Sequence, residues 1–235
     1  SPMSRGLGDV YKRQVPNSVP ADLAALGLTV LEGTSADKEI ITGTAADEVL
    51  GGGGGTADVL VGGGGDDIYF ANGVTVRVIE AAGEGTDTLY VYREWGRLDD
   101  NVENLVLRGD IHSNGYGNAL NNVLTGNDGR NRLEGGDGDD ILNGGAHNDV
   151  LVGGEGSDRF QFTGPNPGAD WIVGFDLAND IVEVQQSLIG TSTEQDILNA
   201  ATDGLYGAEI AIGGFRLTFG KIDAADLTED HFVLI

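Results

Sequence analysis

Five nine-residue repeats stand end to end between Gly117 and Gln161: GNALNNVLT, GNDGRNRLE, GGDGDDILN, GGAHNDVLV and GGEGSDRFQ. Each opens on a glycine-rich turn. Position six is Asn122, Asn131, Asp140, Asp149 or Asp158, and position eight is Leu124, Leu133, Leu142, Leu151 or Phe160. A short apolar stretch such as Ile141–Asn143 is too short to stand alone as a strand. It must bury its leucine against copies of itself, so a strict short period demands a stack of coils. The turns between strands reverse the chain sharply, and glycine reaches the φ > 0 conformations that this needs.

Stacking places the turn acids in columns, with layers about 4.8 Å apart. If two repeats make one coil, Asp140 faces Asp158 and Asn131 faces Asp149. Two carboxylates about 5 Å apart repel by roughly 3 kcal/mol at an effective dielectric of about 20. A hard divalent cation between them turns repulsion into attraction. Turn carbonyls can supply its other ligands, which suits calcium and its six to eight oxygens.

Composition pushes the same way. The chain has 40 glycines, 38 acids against 13 bases, a net charge of −25 and no cysteine. Such a polyanion does not bind nucleic acid through phosphate contacts or anionic lipid directly. No apolar run is long enough to cross a membrane. Self-repulsion opposes compaction, and each glycine costs about 0.5–1 kcal/mol relative to alanine in ordered structure. No disulfide can act as a staple. Without a cation, the array is expected to be largely disordered.

The repeats resemble the RTX (repeats-in-toxin) nonapeptide GGxGxDxUx of secreted Gram-negative bacterial proteins. GGDGDDILN and GGEGSDRFQ carry every defining residue. The resemblance implies an all-β fold, a right-handed parallel β-roll or β-helix solenoid with a small C-terminal β-rich cap. It also implies several Ca2+ ions held between the turns of repeats n and n+2. Carried onto this chain, one site lies between Gly135, Gly136, Gly138 and Asp140 and the turn of Gly153, Gly154, Gly156 and Asp158. A second lies between Gly126, Gly129 and Asn131 and the turn of Gly144, Gly145 and Asp149. There His147 replaces the fourth-position glycine and Asn131 supplies no charge, so weaker binding is expected. Asn122 faces Asp140 from its other side.

A poorer array lies upstream in Gly33–Ile41, Gly43–Gly51, Gly53–Val61 and Gly62–Phe70, with single-residue slips at Thr42 and Gly52. Lys38 is expected opposite Asp58, which removes one site. Glu48 opposite Asp67 makes a poor one. More ions are therefore expected downstream than upstream.

Six segments follow. Residues 1–14 are set aside, because Ser4–Gln14, SRGLGDVYKRQ, resembles a translated sequencing-library adapter, and native sequence is expected to extend further upstream. Residues 15–32 are a lead-in and 33–70 the degenerate array. Residues 71–116 are a spacer, with strands expected in Val74–Glu80, Asp87–Tyr92 and Asn104–Leu107. Residues 117–161 are the main array and 162–235 a capping unit. Within the last, Asp170–Val184 resembles the segment after the roll in serralysin-type proteases. It is expected to form two strands around a turn, with Trp171, Ile172, Phe175, Ile181 and Val184 inward. Asp176 and Asp180 are either one more calcium site or solvated turn acids. A capping box at Ser192–Gln195 should open a helix through Ala201 that Asp203–Gly204 ends, and Gly213–Gly214 should turn a hairpin. The tail EDHFVLI resembles the export signal read by the type I secretion apparatus, and reads equally as an edge strand of the cap.

Catalytic patterns are absent. The three histidines do not form HExxH, no cysteine nucleophile exists, and no serine sits in GxSxG. The chain as given reads as a non-catalytic, secreted, extracellular calcium-binding module. The alternatives are the tail of a larger secreted hydrolase, lipase or polysaccharide epimerase, or an adhesive segment whose turns bridge through calcium to polysaccharide or to other copies.

Overall fold

The computed structural model describes residues 19–54, 56–71, 76–164 and 167–235. The adapter-like stretch Ser4–Gln14 lies outside the described residues. The chain forms two compact units. One runs to Arg93 and includes Leu98–Gly109. The other takes Glu94–Arg97 and Asp110–Ile235.

The first unit begins with helix α1 (Ala21–Ala24) and then winds through short strands. These are β1 (Thr29–Glu32), β2 (Ile40–Thr42), β3 (Glu48–Gly51), β4 (Val59–Val61), β5 (Ile68–Ala71), β6 (Arg77–Ile79) and β7 (Thr88–Val91). After β8 (Trp95–Arg97), which belongs to the second unit, comes β9 (Asn104–Leu107). Within this unit β1, β3, β5, β7 and β9 pair side by side, and β2, β4 and β6 form a second sheet, every pair parallel. Consecutive strands alternate between sheets, which is the winding of a solenoid. The step varies: Val49 pairs with Ile68, but Thr88 pairs with Asn104.

The second unit keeps a fixed step through the nonapeptides. It continues with β10 (Ser113–Tyr116), β11 (Val123–Thr125), β12 (Asn131–Asp137), β13 (Ile141–Asn143), β14 (Val150–Glu155), β15 (Arg159–Phe162), β16 (Ala169–Val173) and β17 (Ile181–Val184). Leu124 pairs with Leu142, Leu142 with Phe160, and Leu133 with Leu151. Two repeats therefore make one coil. All five position-eight side chains are fully buried. Burying each is worth about 1.5–3 kcal/mol.

The cap extends both sheets. Helices α2 (Gln186–Ile189) and α3 (Glu194–Asn199) lead to β18 (Ala201–Asp203), β19 (Gly207–Ile212), β20 (Phe215–Gly220) and β21 (Phe232–Leu234). β20 lies parallel to β16, and β21 parallel to β17. β19 and β20 form the expected hairpin, closed by Gly213–Gly214 between paired Ile212 and Phe215. The tail is thus an edge strand. Phe175 meets Phe160 at 5.9 Å, Phe219 at 5.0 Å and the His231 ring at 5.6 Å, so an aromatic plug covers the last coil.

Several local expectations shift. The capping box is Thr193 with Asp196, one residue later than expected, because Thr193 is the residue that takes extended φ/ψ before the helix. That helix ends at Asn199, and Asp203 closes a strand instead. Ile172, Phe175 and Val184 are buried, while Trp171 and Ile181 are only half-buried and Val182 takes the inward place. Strand period decides this, since neighbours on a strand face opposite sides.

Position eight should therefore be far less tolerant than its neighbours. Leu142→Ala is expected to cost about 2–5 kcal/mol in denaturant unfolding of the calcium-loaded chain. Val123→Ala, on the outward face of β11, is expected to cost under about 1 kcal/mol. Equal costs would contradict this inward and outward assignment.

Candidate metal centre

Position six builds a ladder through the second unit. The backbone N–H of each position-six residue donates to a carboxylate Oδ1 one coil on. Asn122 reaches Asp140 at 2.7 Å, Asn131 reaches Asp149 at 2.7 Å, and Asp140 reaches Asp158 at 3.0 Å. The ladder then outruns the nonapeptides, from Asp149 to Asp170 at 2.8 Å and from Asp158 to Asp180 at 2.9 Å. The first unit repeats it from Glu39 to Asp58, Glu48 to Asp67 and Asp67 to Asp87, at 2.8–2.9 Å. Asp87 in turn donates to Glu103 Oε2.

The second oxygen is the unusual one. Oδ2 of Asp58, Asp67, Asp140, Asp149 and Asp158 is buried without a hydrogen-bond partner. Leaving a buried carboxylate oxygen unmatched is costly. The position-one glycine makes room beside it. A methyl on Gly135 would overlap Asp140 Oδ2 and stand 2.7 Å from the Gly153 carbonyl oxygen. A methyl on Gly144 would overlap Asp149 Oδ2, and one on Gly153 would overlap Asp158 Oδ2. Each orphan oxygen thus borders a small cradle of glycine backbone. This donor set of carboxylate and carbonyl oxygens fits a hard cation.

Turn geometry explains the remaining glycines. Gly138 and Gly156, at position four, have φ of 105° and 138°, and Gly136, Gly145 and Gly154 at position two are also positive. His147 holds the position-four conformation at φ 69°, where a side chain costs roughly 1–2 kcal/mol.

Not every expected ligand offers an open oxygen. Asn122 Oδ1 accepts from the Asn118 N–H and Asn131 Oδ1 from the Asn127 N–H, at 2.7 and 2.8 Å. Asn131 Nδ2 donates to the Ser113 carbonyl. Gly126 borders that amide, and Gly129 lies against the Ile111 carbonyl. Glu48, longer than aspartate, folds back to accept from the Thr44 N–H and hydroxyl. Lys38 does not face Asp58. The slipped repeats place their extra residues, Lys38 and Ala57, in the turns at φ 64° and 61°. Glu39 therefore takes the rung opposite Asp58, and Lys38 is exposed. Asp176 is exposed and held below the usual carboxylate range by the Ala178 N–H and the Asn179 amide. Asp180 accepts on both oxygens, so the pair closes a turn.

Asp170, Asp87 and Glu103 were not foreseen as rungs. Each begins an acid-x-apolar triplet, such as Asp170-Trp171-Ile172 and Asp87-Thr88-Leu89, as Asp140-Ile141-Leu142 does. That triplet is the signal that survives where the glycines are lost.

Burial lifts these acids. Asp149 rises to about 8, Asp140 and Asp170 to about 7, and Asp158 to about 6, with desolvation the main cause. Neighbouring charge adds to it, from Asp170 on Asp149 and from Asp158 on Asp140. The amide rungs oppose the shift.

The family model of the RTX calcium-binding nonapeptide repeat (4 copies) matches residues 116–146 and 125–160. Residues 116–160 are RTX calcium-binding nonapeptide repeats. No curated protein matches the chain significantly. Among solved structures, the chain is similar to the AlgE6R3 subunit of the Azotobacter vinelandii mannuronan C5-epimerase. Identity is 28%, the match covers 53% of this chain and 78% of that one, and the TM-score is 0.43. It is also similar to the extracellular lipase LipA of Serratia marcescens, at 20% identity over 89% of this chain and a TM-score of 0.36. The match spans 43% of that lipase.

The raised carboxyls set a pH dependence for the RTX repeats without metal. Each binds its proton more tightly in the folded coil than in the unfolded chain. Their contribution is fully present below the ordinary carboxylate pKa and is lost as pH rises through about 6–8. In chelator, the far-UV β signal is expected to be larger at about pH 5 than at about pH 8. An equal signal at both would contradict buried acids.

Proposed function

We propose that the chain is a calcium-binding β-roll module that folds on meeting calcium outside the cell. The observation that carries this reading is the run of buried, partnerless Oδ2 atoms at Asp140, Asp149 and Asp158, each beside its position-one glycine. Asp140 with the turn of Gly135–Gly138 and the Gly153 carbonyl makes one site. Asp158 with Gly153–Gly156 makes the next level of that column, and Asp149 with Gly144–Gly145 a level of the alternate column. Asp58 and Asp67 are the upstream counterparts. Asn122, Asn131 and Glu48 end the acidic columns and contribute backbone rather than open side-chain oxygens.

The role of the ion is to fold the chain as well as to sit in it. Ligands that are unpaired and dry in the coil but solvated in the unfolded chain make binding energy into folding energy. Sites of extracellular type bind at about 10⁻⁴–10⁻³ M, so they stay empty and the repeats unfolded in the cytosol. That state suits export through a type I apparatus. β21, once folded, closes the cap that the exported tail forms.

A calcium titration of the chain, followed by far-UV circular dichroism and tryptophan fluorescence, tests this. Expected is a cooperative gain of β signal, reversed by chelator and not reproduced by magnesium. A chain already folded in chelator at neutral pH and unmoved by calcium would contradict it.

A further inference from the structure

The first unit buries a different anionic cluster. Carboxylate oxygens of Asp67, Glu80 and Asp87 lie within 4.8 Å of one another, and all three residues are buried. Asp67 precedes β5, Glu80 follows β6 and Asp87 precedes β7. Tyr69 on β5 is fully buried and its hydroxyl has no hydrogen-bond partner. It points at the same spot. A methyl on Gly62 would overlap Tyr69 Oη, Asp67 Oδ2 and Glu80 Oε1 together.

The register shows how the cluster arises. Val61 pairs with Ile79, so the residue stacked over Gly62 is Glu80. In the repeats this place is a glycine that leaves a cradle. Here the next coil inserts a carboxylate into it. Glu80 matches no nonapeptide position, and both of its oxygens are buried, with only the Gly63 N–H among the described residues to counter their charge.

We propose that Asp67, Glu80, Asp87 and Tyr69 form one calcium site, in which the Glu80 carboxylate fills the place beside Gly62; this rests on the calcium reading of Asp67 and adds three ligands that the repeat pattern does not supply. Every donor is oxygen, which selects a hard cation over zinc or copper. Three carboxylates so close in a dry site need positive charge. Oxygens within 4.8 Å of one another can surround one ion, and irregular all-oxygen ligation suits calcium over magnesium, which demands near-ideal octahedral geometry and keeps several waters. Tyr69 adds a neutral donor in a rigid ring.

The test counts calcium bound per full-length chain by equilibrium dialysis with elemental analysis. Wild type, Glu80→Gln, Tyr69→Phe and Asp158→Ala are compared. Expected for Glu80→Gln is the loss of one ion with the calcium-loaded β signal retained. Tyr69→Phe should keep the count at saturating calcium but weaken one ion by about tenfold, the size of one lost ligand interaction. An unchanged count in Glu80→Gln overturns the site. So does an unchanged count together with higher stability in chelator, the signature of carboxyls that share protons instead. Should Glu80→Gln fail to fold, Tyr69→Phe decides, and unchanged affinity for every ion overturns the proposal. Asp158→Ala reports on the RTX repeats separately. A loss there with no loss in Glu80→Gln sinks this site alone, and the reverse sinks only the repeat assignment.

Discussion

Metal binding depends on aspartates that do two things with one carboxylate. Oδ1 accepts the amide of the position-six residue one coil back, as Asp140 does from Asn122 at 2.7 Å. Oδ2 is left buried and partnerless. The rung aligns successive coils, so each leucine meets the next. The orphan oxygen makes that alignment expensive, because a buried unpaired charge is costly. A proton or a cation relieves it, and burial that lifts Asp140 and Asp149 to about 7 and 8 measures how strongly.

The glycines follow from the same atom. Gly135, Gly144 and Gly153 stand where any side chain would overlap Oδ2 of Asp140, Asp149 and Asp158. Position one is therefore closed to side chains by contact, while position four favours glycine by backbone angle and His147 takes it at φ 69°. The first unit departs from this rule. Glu80 occupies the place stacked over Gly62 and turns a cradle into a carboxylate cluster.

Much of this was legible in the repeats. The inward leucines, the two-repeat coil and the facing of Asp140 on Asp158 all follow from a period of nine. Legibility faded where the period did. Asp170 and Asp180 extend the ladder after the coil lengthens, as Val150 pairing with Trp171 and Arg159 pairing with Ile181 show. Lys38 was misplaced because one extra residue can be absorbed by a turn without disturbing the strands. β8 and β10, WGR and SNGY, lack the apolar run that marks a strand, and pairing with neighbours makes them strands. The side-chain amide oxygens of Asn122 and Asn131 accept within their own turns, which residue type alone does not reveal.

The two units share this ladder but not its regularity. The second keeps a constant step through the nonapeptides, with Asp140, Asp149 and Asp158 on its rungs. The first varies its step and mixes Glu39, Glu48 and Glu103 among its rungs. The most direct measurement is carbon-detected NMR of the aspartate carboxyl groups during calcium addition. Asp140, Asp149 and Asp158 should each shift to a calcium-bound resonance that no longer titrates near neutral pH, while exposed acids such as Asp176 stay unchanged. Carboxyls of Asp140, Asp149 and Asp158 that keep titrating in saturating calcium would contradict their role as ligands.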